Sequence, residues 1–183
     1  MKTFLFAVFF VLTAMVTTAQ TTVDARLGGT LSGLSEGDWT MKFGLKAGLG
    51  VDHAFTDLFA LRSGLFFAMK GASDAETSFD YAPSTSMDLN YIEIPLLASF
   101  RFPITGQFGV ALNAGPSFGY RVSKDPEGWT DVNSTNLAFD AGIDLVFSSR
   151  YEIGIEGQYG ISELAKDSRQ HTITYSLLFG YRF

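Results

Sequence analysis

The stretch that decides the fold is HTITYSLLFGYRF, residues 171–183. Every second residue from His171 to Phe183 is aromatic, aliphatic or imidazole, whereas the positions between them hold Thr, Ser, Leu, Gly and Arg. A period of two predicts a β-strand with two unlike faces. In a water-soluble sheet, such an apolar face on a final strand would promote aggregation. The pattern therefore indicates that this face meets something other than water.

The same period recurs in seven earlier segments of the chain. They cover residues 23–32, 41–52, 59–70, 91–102, 107–121, 137–147 and 151–162. The connections alternate, with short turns after the second, fourth and sixth segments and longer polar connections after the third, fifth and seventh. Short turns at one end and long loops at the other are typical of outer-membrane barrels. The sequence therefore predicts an all-β fold, an eight-stranded antiparallel up-and-down transmembrane β-barrel.

Full charges recur on one face of the predicted strands, and this decides which face meets lipid. A charged side chain in hydrocarbon is costly, so the charged faces point into the lumen. Because eight strands enclose a space that side chains fill, we expect a polar, side-chain-filled lumen. A soluble lipocalin-like barrel, the alternative, would have its apolar faces inside.

The predicted polar network of the lumen comprises Arg26, Lys42, Lys46, Arg62, Glu93, Arg101, Arg121, Asp140, Asp144, Glu152, Glu156 and Arg182. The second and third strands are basic and the sixth and seventh are acidic, so the predicted ion pairs cross the lumen. We interpret the network as a structural plug, since an unpaired interior charge is costly. An ion pathway or a binding site is the alternative.

The first nineteen residues, MKTFLFAVFFVLTAMVTTA, have the pattern of a secretory signal. One Lys precedes an apolar run from Phe4 to Val16, and small residues stand where a signal peptidase reads the chain. We expect residues 1–19 to be a cleaved signal peptide and residues 20–183 to form the barrel domain. An uncleaved anchor would need an apolar core closer to the roughly 20 residues of a spanning helix.

Charge and composition limit the partners. A formal net charge of −6 argues against nucleic acid. With no cysteine and two histidines we expect no metal site and no cofactor. The expected partners are outer-membrane lipids and lipopolysaccharide, the barrel-assembly machinery and an envelope protein. The acidic external loops are interpreted as a solvated surface, with divalent-cation bridging to lipopolysaccharide as the alternative.

Four segments carry a resemblance to a known family: residues 89–102 (LNYIEIPLLASFRF), 111–123 (ALNAGPSFGYRVS), 139–147 (FDAGIDLVF) and 151–164 (YEIGIEGQYGISEL). They resemble conserved segments of the PorT-type outer-membrane β-barrel family, and the resemblance extends over about residues 41–183. It implies an eight-stranded barrel in the outer membrane. The founding member of that family assists a secretion and gliding apparatus, but most members have no assigned role.

The predicted function is a structural or interaction role, in which the barrel presents loops outside the cell or docks an envelope partner. The alternative is a narrow transport conduit or an accessory component of a protein-secretion apparatus. A lipid-modifying enzyme is less favoured. Its candidate residues, His171 with Ser168 and Asp167, are of types that often neighbour one another by chance in polar loops.

Phe179, Tyr181 and Phe183 resemble the C-terminal aromatic signal by which outer-membrane barrels are recognised for assembly. We predict that Phe183→Ala, or a charged tail added after Phe183, lowers the amount of barrel inserted into the membrane. The measurement is heat-modifiable electrophoretic migration of the protein in membrane fractions. An unchanged yield of heat-modifiable barrel would contradict the assembly role.

Overall fold

The computed structural model describes residues 20–35, 39–74, 86–123, 133–163 and 170–183. These residues form eight strands: β1 (Gln20–Leu34), β2 (Trp39–Ala54), β3 (Phe59–Asp74), β4 (Ser86–Thr105), β5 (Phe108–Arg121), β6 (Thr135–Phe147), β7 (Tyr151–Gly160) and β8 (Thr172–Arg182). Each strand pairs antiparallel with the next, and β8 pairs with β1 to close the barrel. The predicted fold class is confirmed. No helix in the described ranges is long and apolar enough to cross a membrane.

The strands at the long-loop end are longer than the sequence pattern predicts. β4 begins at Ser86 rather than at residue 91, and β3 runs on to Asp74. The two strands stay paired up to Ser73 and Ser86. In their outer parts the apolar residues Ala72 and Leu89 are buried on the inward face, and the outward phase holds Gly71, Asp88 and Asn90, so the apolar outer face disappears from the sequence although the backbone ladder continues. The β3–β4 hairpin therefore extends further along the chain than the amphipathic pattern.

The seam between β1 and β8 removes the open edge that the final strand would otherwise present. The two strands pair from Asp24–Arg182 to Leu34–Thr172, and the Phe183 amide donates to the Val23 carbonyl at 2.9 Å. A Cβ atom on Gly28 would overlap the Leu177 carbonyl oxygen, so this close approach requires glycine. β1, which has few bulky residues in its sequence, is held in the barrel by pairing on both edges.

A register shift in β2, between Met41 and Lys46, brings β1 and β3 close together across that strand. Thr30 of β1 donates its hydroxyl to the Met69 carbonyl of β3 at 2.9 Å. Ser32 donates to the Gly71 carbonyl at 3.1 Å and accepts from the Gly71 amide at 2.8 Å. The irregularity interrupts the ladder locally, and these β1 hydroxyls bind β3 backbone groups beside it.

The two faces of the sheet are those of a barrel in lipid. Outward side chains such as Phe43 and Leu27 are 68% and 60% exposed, whereas inward Asp24 and Arg62 are 0% and 3% exposed. Apolar residues outside and charges inside are the reverse of a soluble barrel. The lipocalin-like alternative is therefore excluded.

Aromatic rings gather at the short-turn end of the barrel. His53, Phe55, Phe59 and Phe100 form a row with successive ring centroids 4.9, 5.8 and 5.4 Å apart. A second row joins Tyr151, Tyr181 and Phe183 at 5.6 and 5.3 Å. Aromatic girdles of this kind lie at membrane–water interfaces, and these rows mark the interface at the short-turn end.

Candidate functional site: the charged lumen

Arg62 of β3 is bound by carboxylates from three other strands. Its Nε and Nη2 atoms donate to the two carboxylate oxygens of Asp52, in the neighbouring β2, at 2.5 and 2.7 Å. Nη1 donates to Asp144 of β6, and Nη2 donates to Glu152 of β7 at 3.0 Å. In an eight-stranded ring, β3 and β7 lie opposite each other. Arg62 therefore spans the lumen.

The turn-end cluster, as we name it, surrounds Arg62 near the short turns and the seam. Its members are Asp24, Arg26, Asp52, Arg62, Arg101, Asp144, Glu152 and Arg182, four cations and four carboxylates. Glu152 accepts from Arg26 at 2.6 Å and also from Arg182. Charge within this cluster is balanced, as a buried ionic group requires.

The loop-end cluster occupies the other half of the lumen and comprises Lys46, Lys70, Glu93, Asp140 and Glu156. Lys46 pairs with Glu156 of β7 and lies 3.3 Å from Glu93 of β4. Lys70 pairs with the same Glu93 and donates to the side chain of Gln158 in β7. The contacts to Glu156 and Gln158 cross the lumen to β7, whereas Glu93 lies on β4, the strand next to β3.

Neutral residues complete the loop-end cluster. Gln158 donates to the Ser117 hydroxyl, and Ser117 donates to Asp140, each at 3.0 Å. Lys46 also lies 5.5 Å from the ring centre of Phe66, and Lys70 lies 5.3 Å from that of Tyr91, within the range of cation–π attraction.

Our candidate network omitted several residues that the structure places among its members. Asp24, Asp52 and Lys70 are charged and in the inward phase of their strands, so the same periodicity identifies them. Asn113 donates to Asp144 at 2.8 Å. Asn113, Ser117 and Gln158 carry no charge, so only their position in the inward phase of a strand identifies them in the sequence.

Two of the predicted network residues lie at the loop-end rim. Lys42 pairs with the exposed carboxylate of Asp88 at 2.7 Å. Arg121 is the last residue of β5, and its Nη1 atom lies 3.5 Å from the Ser123 carbonyl oxygen. The other ten predicted residues belong to the two clusters.

The space between the clusters is nearly filled. A cavity of about 10 Å³ remains there, lined by Arg26, Arg62, Asn113, Asp140 and Glu156 among others. That volume is about one water molecule in size. A larger cavity of about 310 Å³ opens at the turn end. The charged side chains thus occupy the middle of the barrel.

Of the residues considered for catalysis, His171 lies in the described part of the structure. The His171 ring stacks on Tyr159 with centroids 5.5 Å apart, and the His171 amide donates to the Ser35 hydroxyl at 3.0 Å. Asp167 and Ser168 lie outside the described residues. Within the described ranges, no group of three or more His, Cys, Asp or Glu side chains could hold a metal ion.

Residues 18–183 match the family described as outer membrane protein beta-barrel domain. The chain belongs to this family. Together with the closed barrel and its apolar outer face, membership makes it an integral outer-membrane protein in a lipid and lipopolysaccharide environment. In outer-membrane barrels the short turns face the periplasm and the long connections face the outside. No curated protein matches the sequence.

Solved outer-membrane barrels share the fold at low sequence identity. Neisserial surface protein A is 16% identical, with a TM-score of 0.58 over 90% of this chain and 99% of that one. Ail of Yersinia pestis, crystallised with the heparin analogue sucrose octasulfate, is 18% identical, with a TM-score of 0.51 over 90% and 99%. The outer membrane enzyme PagL is 12% identical, with a TM-score of 0.54 over 85% and 98%. At these identities the likeness establishes the fold alone.

We predict that Arg62→Met lowers the free energy of unfolding by about 3–5 kcal/mol, because it leaves buried carboxylates without their shared cation. Urea unfolding of the refolded barrel in lipid vesicles measures the change. Arg150→Gln, in an exposed turn at the same end, is the matched control and should change stability by less than about 0.5 kcal/mol. Equal unfolding midpoints for Arg62→Met and the wild type would contradict the central role of Arg62.

Proposed function

We propose that this protein is a plugged outer-membrane barrel with a structural or interaction role, not a conduit. The observation that carries the proposal is the pair of ionic clusters across the lumen, which leave a cavity of only about 10 Å³ between them. An ion crossing the barrel would have to part Arg62 from Asp144 and Lys46 from Glu156. Leaving such buried charges unpaired is strongly unfavourable.

The interaction part of the proposal concerns the two ends of the barrel. Outside the membrane, the connecting loops would be presented to lipopolysaccharide or to other molecules at the cell surface. In the periplasm, the short turns and the mouth of the lumen would face an envelope protein. Most of the acidic loop residues lie outside the described residues, so the proposal on that side rests on their sequence.

Targeting and assembly complete the proposal. Residues 1–19 would be removed as a signal peptide, which would leave Gln20 as the first residue of the mature chain. Mass spectrometry of the intact protein extracted from membranes tests whether residues 1–19 have been removed. Phe179, Tyr181 and Phe183 would be read by the barrel-assembly machinery, and their side chains lie on the exposed outer face beside the seam.

The PorT-type subfamily is our finer assignment. The segment that resembles its Tyr-x-Glu-Ile-Pro motif places Tyr91, Glu93 and Pro95 on the inward face of β4, all buried. Glu93 there binds both lysines of the loop-end cluster. Because the alternate residues of this motif build the plug, the motif supports a barrel interior of the same kind in the PorT-type subfamily. It gives no support for a role in secretion. Crosslinking in whole cells tests for a secretion component as partner.

We predict that the refolded wild-type protein gives no steady current in planar bilayers, because its lumen is blocked by paired side chains. A charge-neutral variant, Lys46→Ser/Glu156→Ser with Arg62→Ser/Asp144→Ser, removes two cross-lumen pairs and should give current steps if it folds. Heat-modifiable migration confirms that each barrel is folded before measurement. Steady, ion-selective steps from the wild type would defeat the plugged-barrel proposal.

We also predict that the protein does not turn over lipid A or phospholipid, although one barrel of the same fold is an enzyme. The assay incubates the barrel with each lipid in mixed micelles and measures released acyl chains. His171→Ala is the matched variant. Activity that appears in the wild type and disappears in His171→Ala would establish catalysis and overturn this prediction.

A further inference from the structure

The periplasmic mouth of the lumen contains a cavity of about 310 Å³. Arg101 of β4 and Arg182 of β8 lie on its wall, together with Pro103, Ala111 and Val146. Cationic donors beside small apolar groups make an amphiphilic pocket. Its volume is at the lower limit for small-ligand sites, enough for one or two residues of a peptide.

Arg101 uses little of its hydrogen-bonding capacity. In the described structure, its guanidinium donates one hydrogen bond, from Nη2 to Asp52 at 3.0 Å. Its Nε atom is buried without a partner. Asp52 itself is shared, since it also binds Arg62 and Arg182. Arg101 therefore has unused donors at the edge of an open cavity, whereas all three guanidinium nitrogens of Arg62 donate hydrogen bonds.

Gly109 keeps the cavity open, and backbone packing does not require a glycine there. A Cβ atom on Gly109 would lie 3.4 Å from the Phe102 carbonyl oxygen, an ordinary contact. On the same strand, a Cβ on Gly115 would overlap the Leu96 carbonyl oxygen. Strand packing thus requires glycine at position 115, whereas at position 109 the effect of glycine is to leave the cavity open.

The charges around the cavity disfavour a dianion more strongly than a singly charged anion. The turn-end cluster is neutral as a whole, so a bound anion is held by hydrogen bonds from the guanidinium groups and not by an excess of positive charge. Asp57 on the cavity wall repels additional negative charge. A carboxylate matches the guanidinium fork and carries one charge. The apolar wall at Pro103, Ala111 and Val146 suits a short aliphatic group next to that carboxylate.

We propose that the periplasmic mouth is a binding site for a carboxylate carried on a short apolar residue, held by Arg101 and Arg182. The site rests on the proposed docking role and specifies it, because the C-terminal end of a periplasmic protein presents this chemistry. A free amino-acid derivative presents the same group. The two sources of the carboxylate can be distinguished, because residues that precede the C-terminal one add affinity only when the ligand is a protein chain end.

The probes are the peptide N-acetyl-Gly-Ala-Val with a free C-terminus, the same peptide as its C-terminal amide, and N-acetylvaline. Each is titrated into the barrel refolded in nanodiscs, and binding is followed by calorimetry. We expect the acid to bind roughly tenfold or more tightly than the amide, the loss expected for a charge-assisted hydrogen bond. Tighter binding of the tripeptide than of N-acetylvaline indicates a chain end, and equal binding indicates a small carboxylate.

Two variants of the cavity and one matched control locate the site. Arg101→Gln removes one cation from the cavity wall, while Asp52 remains paired with Arg62 and Arg182. Gly109→Val places a side chain in the cavity. Each should weaken binding of the acid roughly tenfold or more without loss of heat-modifiable migration. Arg150→Gln removes a charge at the same end outside the cavity wall and should leave binding unchanged.

Equal affinities for acid and amide, or full affinity in folded Gly109→Val, would overturn the carboxylate site. Neither result would affect the plugged barrel, which the conductance measurement tests separately. Conversely, steady conductance with intact carboxylate binding would remove the proposed plug but retain the site. The two proposals can therefore fail independently.

Discussion

Carboxylates of Asp52, Asp144 and Glu152 converge on the guanidinium of Arg62 inside a barrel whose outer surface is apolar. The other features of the lumen depend on this convergence. Once an outer face meets lipid, the polar residues of an eight-stranded barrel have only a narrow interior to occupy. Little water reaches that interior, so each buried charge needs a partner of opposite sign. Ion pairs that cross the lumen meet this requirement and tie opposite walls together.

Small residues make the ionic interior possible. Glycines on the inward face leave room for long side chains, and some also allow neighbouring strands to approach. Gly28 at the β1–β8 seam and Gly115 on β5 are of the second kind, because a Cβ atom at either position would overlap a backbone carbonyl. Gly109 differs, since it leaves open space at the periplasmic mouth. Glycine thus allows close strand pairing at the seam and leaves a cavity open at the mouth of the lumen.

The arrangement favours contact with partners over transport. A lumen filled by two ionic clusters has its accessible surface at its ends, and the described part of the structure shows one such surface in the cavity beside Arg101. Family membership and shared fold place the protein in the outer membrane without assigning a partner. The partner has to be inferred from the chemistry of the ends, because related barrels carry unrelated functions.

The sequence by itself determined the number of strands, their inward and outward faces and the membrane location. These properties depend on the local alternation of apolar and charged residues. Apolar Phe43 and charged Lys42 lie on opposite faces of the same strand, and the apolar face is stable against lipid whereas the charged face is stable in the lumen. The sequence also indicated that basic strands lie opposite acidic ones.

Only the tertiary structure decided which charges pair, because several carboxylates in the correct phase compete for each cation. Arg62 and Glu152 are 90 positions apart, and their contact depends on barrel closure and strand register. The bridge of Thr30 to the β3 backbone and the cavity at Gly109 were likewise set by register and barrel geometry, which local alternation does not encode.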